Sequence, residues 1–99
     1  MHTFQVTLTN AVGLHARPAA LFVQTAARYA SSITVRNLTR GTPPVNAKAI
    51  LSVLTLGAEK GHTIEVVVEG PDEDDAVAGL QALIESGFNE GDGDGTQGR

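Results

Sequence analysis

The stretch from Phe4 to Ala19 reads FQVTLTNAVGLHARPA, and its pattern changes midway from that of a strand to that of a helix. In the first half, Phe4, Val6 and Leu8 alternate with polar residues, which is the period of a strand with one buried face. Residues 10–13 predict a loop, because Asn and Gly favour turns. The stretch therefore predicts a β-strand followed closely by a helix.

The helix is predicted to begin at His15, which stands at or beside the N-cap, with Pro18 in the first turn. Proline is tolerated there because the first N–H groups of a helix have no intrahelical partner. Small apolar residues then recur at helical spacing at Ala16, Ala19, Ala20, Val23, Ala26 and Ala27. This helix is expected to pack closely on a sheet and to end near Tyr29 or Ala30.

Two more strands are predicted after this helix. Ile33, Val35 and Asn37 would share one face of the second strand. A turn over residues 39–44 leads into a short third strand near Val45. Pro43 and Pro44 in this turn have no backbone N–H to donate to a neighbouring strand. The third strand is therefore expected at a sheet edge.

The second predicted helix is unusually apolar. Asn46 is its expected N-cap, the helix runs from Ala47 to about Leu56, and Gly57 ends it. Its apolar residues are Ile50, Leu51, Val53, Leu54 and Leu56. A short helix in a small protein cannot bury its whole circumference, so part of this surface is predicted to dock another molecule.

The last third of the domain predicts a strand over Thr63–Glu69 and then a third helix. Acidic residues 72–75 place negative charge at the start of that helix, where the helix dipole favours it. Its apolar face comprises Ala76, Val77, Leu80, Leu83 and Ile84, with Gly87 as the C-terminal cap. The order β-α-β-β-α-β-α predicts an α+β domain, an antiparallel sheet covered by helices on one face.

Residues 1–88 are predicted to form one domain, and 89–99 a flexible tail rich in Gly and Asp. The segment 91–95 has only a faint likeness to a calcium loop, since it lacks the full ligand pattern.

Composition excludes several classes of function. The formal net charge of -4 argues against nucleic-acid binding. The absence of cysteine excludes a disulfide framework and fits a reducing cytosol, so a cytoplasmic location is predicted. No apolar run approaches the roughly 20 residues that cross a bilayer, so no membrane association is expected. His2, His15 and His62 have no recognisable ligand spacing, so no metal is predicted.

His15 is the residue predicted to carry chemistry. A helix N-terminus offers unpaired N–H groups, here those of Ala16 and Arg17, and a positive potential that suits a phosphoryl group. The Arg17 guanidinium can pair with two phosphoryl oxygens. A phosphoryl group on a ring nitrogen is labile, which suits a carrier in a relay rather than a free-standing enzyme. On this local chemistry alone, a surface or capping histidine remains the more common alternative.

Two motifs resemble those of one known family. Residues 13–19, Gly-Leu-His-Ala-Arg-Pro-Ala, resemble the signature around the phosphorylated histidine of HPr, the phosphocarrier of the bacterial phosphoenolpyruvate-dependent sugar phosphotransferase system. Residues 45–57 resemble the second-helix region of the same family. The likeness extends from Met1 to about Phe88.

The resemblance implies an HPr-like open-faced β-sandwich, with four antiparallel strands and three helices on one side. It implies that phospho-Enzyme I phosphorylates His15 on Nδ1, and that the group passes to the IIA domain of a sugar permease with assistance from Arg17. No cofactor is implied, and a monomer is expected. The partner-docking residues by resemblance are Ala20, Gln24, Ile50, Leu51 and Leu54.

One departure from the family concerns regulation. Many Gram-positive members carry a regulatory serine in the second helix, but the matching residue here is Ala49, which has no hydroxyl. Three alternatives remain open from the sequence: a nitrogen-related phosphotransferase branch, a dihydroxyacetone-kinase system, and a non-catalytic regulatory docking module. The first two would use the same histidine chemistry.

Overall fold

A four-stranded antiparallel sheet organises the chain in the computed structural model, which describes residues 1–88. The elements are β1 His2–Thr7, α1 Ala16–Ala26, β2 Ser32–Asn37, β3 Val45–Asn46, α2 Ile50–Leu54, β4 Thr63–Glu69 and α3 Glu73–Glu85. Their order and type are those predicted from the sequence. The predicted tail, 89–99, lies outside the described residues.

Strand β4 lies inside the sheet because it is the most apolar strand. The strand order is β1-β4-β2-β3, so β4 pairs with β1 and β2. Val66 of β4 stands opposite Phe4 of β1 and Val35 of β2. Ile64, Val66 and Val68 point into the core and are completely buried, while the residues between them face the open side. This alternation confirms the predicted one-sided burial.

The core lies between this sheet and the three helices, which cover one face of it. The predicted apolar face of α3 is buried along its length, and Phe22 of α1 and Val53 of α2 are completely buried. The short strand β3 lies at the sheet edge, beyond β2, as its two preceding prolines predict. The α+β class and the open-faced arrangement are therefore confirmed.

Helix α2 is shorter than predicted at both ends: it runs from Ile50 to Leu54 instead of from Ala47 to about Leu56, and the larger difference is at its start. Asn46 does not cap it: Asn46 belongs to β3, where it stands opposite Thr34. The backbone N–H of Ala47 donates to Ile33 O, and the Asn46 side-chain oxygen accepts from the Lys48 N–H. These bonds hold residues 46–48 in strand and turn geometry, so Ala49 becomes the N-cap.

Helix α1 ends at Ala26 rather than near Tyr29. Beyond it the N–H groups of Arg28 and Tyr29 bond to the carbonyls of Thr25 and Ala26, which is the tighter three-residue spacing of a turn. The Lys48 ammonium donates to Tyr29 O at 2.7 Å and holds this turn in place.

The start of α3 is tied to the turn that precedes β2. Asp72 is the N-cap residue, but its carboxylate makes no capping bond within α3. It accepts instead from the Ser31 hydroxyl, from Ala30 N–H at 2.8 Å and from Ser31 N–H at 2.9 Å. The Ser31 hydroxyl bond, followed by the Ala30 N–H, lowers the pKa of the Asp72 carboxyl below its ordinary value of 3.8.

Candidate functional site

His15 is the N-cap residue of α1, as the sequence predicts. Its backbone is extended, with φ −125° and ψ 165°, and its side chain makes no capping hydrogen bond. The side chain is half-buried. The imidazole therefore stands at the end of the helix, with no capping bond to the backbone and with access to solvent.

The first turn of α1 presents polar groups beside His15. Ala16 and Arg17 are both exposed, and the buried Pro18 has no N–H to satisfy. The N–H groups of a first helical turn have no intrahelical partner, so those of Ala16 and Arg17 are available to an anion. Ala16 has φ 50°, a left-handed conformation that is unfavourable for any residue other than glycine.

The loop before His15 rests directly on a turn from the other half of the chain. Gly13 has φ +62°, and a Cβ built on it would lie 2.4 Å from Ala58 O and 2.6 Å from Glu59 Cα. Next to it, the N–H of the buried Leu14 donates to Ala58 O at 2.8 Å. Two backbone segments thus meet without an intervening side chain, which fixes the position of His15.

A pocket of about 400 Å³ opens beside His15. Its walls are Ala11, Val12, His15, Glu59 and Lys60. Arg17 is not among them: its guanidinium lies exposed in the first helical turn. The sequence predicted neither Glu59 nor Lys60 as site residues, because no local pattern reveals that their turn folds against residues 11–15.

The residues matched to the family's docking surface lie on the exposed sides of α1 and α2, which pack against each other. Ile50, Leu51 and Leu54 are 39%, 76% and 37% exposed, which is unusual for large apolar side chains. On α1, Gln24 is exposed and Ala20 is half-buried. Val12, which sequence reasoning missed, adds a further exposed apolar side chain beside His15.

The other histidines are engaged elsewhere. His2 Nδ1 lies 3.3 Å from an Asp74 carboxylate oxygen, and His62 Nδ1 lies 3.1 Å from the Asn37 amide nitrogen. Within residues 1–88, no three potential ligand side chains come together as a metal site. Over the same residues, none of the helices has the length and apolar character needed to cross a membrane.

The fold and the accessible histidine together define a class, the small α+β phosphocarrier domains. The chain matches the family model for the PTS HPr component phosphorylation site over residues 2–86. The chain belongs to the HPr family, and it acts as a phosphocarrier in the phosphotransferase system. The prediction of family, fold and carrier function is thereby confirmed.

Individual relatives support this assignment. The phosphocarrier protein HPr of Treponema pallidum is 46% identical over 85 residues, which cover 86% of this chain and 93% of that protein. A crystal structure of HPr from Thermoanaerobacter tengcongensis superimposes with a TM-score of 0.85 at 43% identity, covering 91% of this chain and 98% of the other. A multiphosphoryl transfer protein of Vibrio cholerae is 39% identical over 90 residues, 91% of this chain but only 22% of that protein.

Proposed function

We propose that His15 accepts a phosphoryl group from phospho-Enzyme I and donates it to the IIA domain of a sugar permease. The supporting observation is the half-buried imidazole at the N-cap of α1, which makes no capping hydrogen bond. In the first step a ring nitrogen of His15 forms a bond to phosphorus, while the donor takes back the electron pair of its own bond to phosphorus. The second step is the same exchange with the acceptor as nucleophile.

Each group around His15 has a distinct part in this proposal. The backbone N–H groups of Ala16 and Arg17 bind phosphoryl oxygens at the positive end of the helix dipole. The Arg17 guanidinium, exposed in the same turn, supplies a two-pronged donor to the same oxygens. Positive charge at this point stabilises the transferring group, whose oxygens carry negative charge throughout the exchange.

Partner recognition is assigned to the apolar surface of α2 and the adjoining side of α1. Ile50, Leu51 and Leu54 supply the apolar contact, and Ala20 and Gln24 its border on α1. We place this carrier in the cytoplasm as a monomer, because one docking surface suffices for donor and acceptor in turn. Regulation through a phosphorylated serine at position 49, the N-cap of α2, is excluded, since Ala49 has no hydroxyl.

Phosphorylation by Enzyme I and phosphoenolpyruvate tests the proposal. The full chain is expected to gain one acid-labile phosphoryl group, and His15→Ala to gain none. His2→Ala is the matched control, because it removes an exposed histidine remote in sequence from the loop and must leave the yield unchanged. An adduct that persists in His15→Ala, or none at all with an Enzyme I of proven activity, would contradict the proposal.

A further inference from the structure

The turn that follows α2 brings two opposite charges to the pocket beside His15. Glu59 and Lys60 line this pocket with Ala11 and Val12, although they lie more than 40 residues away from His15 in the sequence. Both side chains are exposed, and neither takes part in an ion pair within residues 1–88. The Lys60 ammonium is therefore available to an anion that enters the pocket.

The backbone carrying Lys60 is fixed on both sides of the His15 loop. On one side Gly61 N–H donates to Leu8 O at 2.8 Å, and on the other Leu14 N–H donates to Ala58 O at 2.8 Å. The turn is also closed internally, by His62 N–H donating to Glu59 O at 2.9 Å. Residues 58–62 thus hold one position relative to residues 8–14.

The half-buried His62 ring also anchors this turn. Its Nδ1 accepts from Glu59 N–H at 3.2 Å, which identifies this nitrogen as the acceptor, and it lies 3.1 Å from the amide nitrogen of the buried Asn37. The orientation of the Asn37 amide is set by its oxygen, which accepts from Arg40 N–H. Lys60 consequently extends from a backbone held in one position, and only its own side chain has to move to contact a group bound in the pocket.

We propose that Lys60 contacts the phosphoryl group on His15 as a second cation beside Arg17, and that Glu59 opposes this contact. The proposal rests on His15 being the phosphorylated residue. The other two walls of the pocket, Ala11 and Val12, carry no charge that would compete for the Lys60 ammonium. Arg17 approaches from the helix and Lys60 from the turn, so the two cations would bind different phosphoryl oxygens.

Phosphoramidate provides a probe of this contact without any partner protein. It reacts with its nitrogen protonated: the imidazole lone pair forms a bond to phosphorus, the P–N bond of the reagent breaks, and ammonia leaves with the electron pair. The imidazole then releases its surplus proton to solvent. The rate of adduct formation at His15, located by peptide mass spectrometry, therefore reports on groups within this chain alone.

The decisive comparison is Lys60→Met against Arg28→Met. Both substitutions remove one exposed positive charge, but Arg28 lies on the groove between α1 and α3, outside the His15 pocket. An exposed charge pair is worth up to about 1 kcal/mol, so Lys60→Met is expected to slow adduct formation about two- to five-fold relative to Arg28→Met. Lys60→Arg should restore the rate, and Glu59→Gln should raise it.

Salt and stability measurements separate a direct contact from a structural effect. The difference between Lys60→Met and Arg28→Met should shrink at about 1 M salt, where charges are screened within about 3 Å. The unfolding free energy of Lys60→Met should equal that of the unsubstituted chain, because Lys60 is exposed.

Equal rates for Lys60→Met and Arg28→Met, with His15 phosphorylated in both, would overturn the role of Lys60 and leave the carrier proposal intact. Absence of any His15 adduct in the unsubstituted chain, from phosphoramidate and from Enzyme I alike, would overturn both.

Discussion

Gly13 is the residue at which the His15 loop is most sensitive to substitution. In Gly13→Ala the new methyl group would meet backbone atoms of Ala58 and Glu59, which cannot rotate away, and the backbone would keep a strained φ of +62°. Strain and overpacking together predict a loss of roughly 2–5 kcal/mol in unfolding free energy. Urea denaturation measures this loss.

Gly41→Ala is the control for that prediction. Gly41 has a similar φ of +71°, but apart from its own chain neighbours no atom of residues 1–88 lies within 4 Å of the position its Cβ would take. With no close contact from residues 1–88, the left-handed strain alone applies, so the expected loss is about 1–2 kcal/mol. Equal losses at the two positions would contradict the close contact between the His15 loop and the 58–62 turn.

Asp72 makes the stability of the fold depend on pH. Hydrogen bonds, chiefly that from the Ser31 hydroxyl, lower the pKa of its carboxyl in the folded chain below 3.8. A lowered folded-state pKa adds stability above the unfolded-state value, and that stability is lost as the pH falls through the folded-state value. Between neutral pH and about pH 2, the unfolding free energy of Asp72→Asn should therefore fall less than that of the unsubstituted chain.

Asp75→Asn serves as the matched variant for Asp72. It removes an equal charge from the first turn of α3, but the exposed Asp75 side chain has no bond to Ser31. Its acid-induced loss of stability should stay closer to that of the unsubstituted chain. Identical pH profiles for the two variants would refute a special role for the Ser31 bonds.

At the level of single residues, the sequence predicts what depends on neighbours along the chain. His15 at a helix start, Pro18 in the first turn and Gly87 after α3 all follow from local backbone chemistry. The closure of the 58–62 turn over the His15 loop depends on contacts between distant segments. That is why Lys60 could not be recognised from the sequence as a neighbour of His15.

At the level of elements, α2 has an exposed side that is assigned to partner binding and a buried side that contributes to stability. Leu51 is 76% exposed, so Leu51→Gln should leave the unfolding free energy nearly unchanged while raising the KM for the carrier in phosphorylation by Enzyme I. Steady-state kinetics at varied carrier concentration test this expectation. Phosphoramidate phosphorylation of Leu51→Gln should be normal, because that reaction needs no docking.

Val53, on the opposite side of α2, provides the contrast. It is completely buried, so Val53→Ala should lower the unfolding free energy by about 1–3 kcal/mol. Its KM should remain that of the unsubstituted chain under conditions where both are folded. A raised KM in Val53→Ala with no change in Leu51→Gln would contradict the assignment of the exposed side as the docking surface.

The boundaries of α2 also show where sequence patterns stop being informative. Asn46 is a good N-cap by residue type, and Ala47 and Lys48 favour helix. The pairing of β3 with β2 nevertheless holds Asn46 in the sheet. Pairing between strands is a tertiary interaction that local propensity does not contain, so the start of the helix was predicted too early while its apolar character was predicted correctly.

At the scale of the whole molecule, one buried apolar cluster extends through the described residues 1–88. Among the described residues this cluster reaches from Leu8 to Phe88, and Phe88 itself is 1% exposed. Because residues 89–99 contain no large apolar side chain, a chain ending at Phe88 is expected to keep the unfolding free energy of the full chain and its phosphorylation by Enzyme I. Phe88→Ala in the full chain should instead lower the unfolding free energy by about 3–5 kcal/mol. A large loss on truncation alone would show that residues 89–99 contribute to the domain.

The packing of α1 against α2 sets His15 and the exposed leucines on neighbouring elements. In the proposed relay, a protein that covers the leucines also covers the imidazole, so donor and acceptor exclude one another. Donor, carrier and acceptor then cannot form a stable ternary complex. The carrier must dissociate from the donor before it delivers its phosphoryl group to the acceptor. Flux then scales with the number of carrier copies and with how fast each complex comes apart. Very tight docking would therefore lower the flux by slowing dissociation, so a modest affinity for each partner is expected.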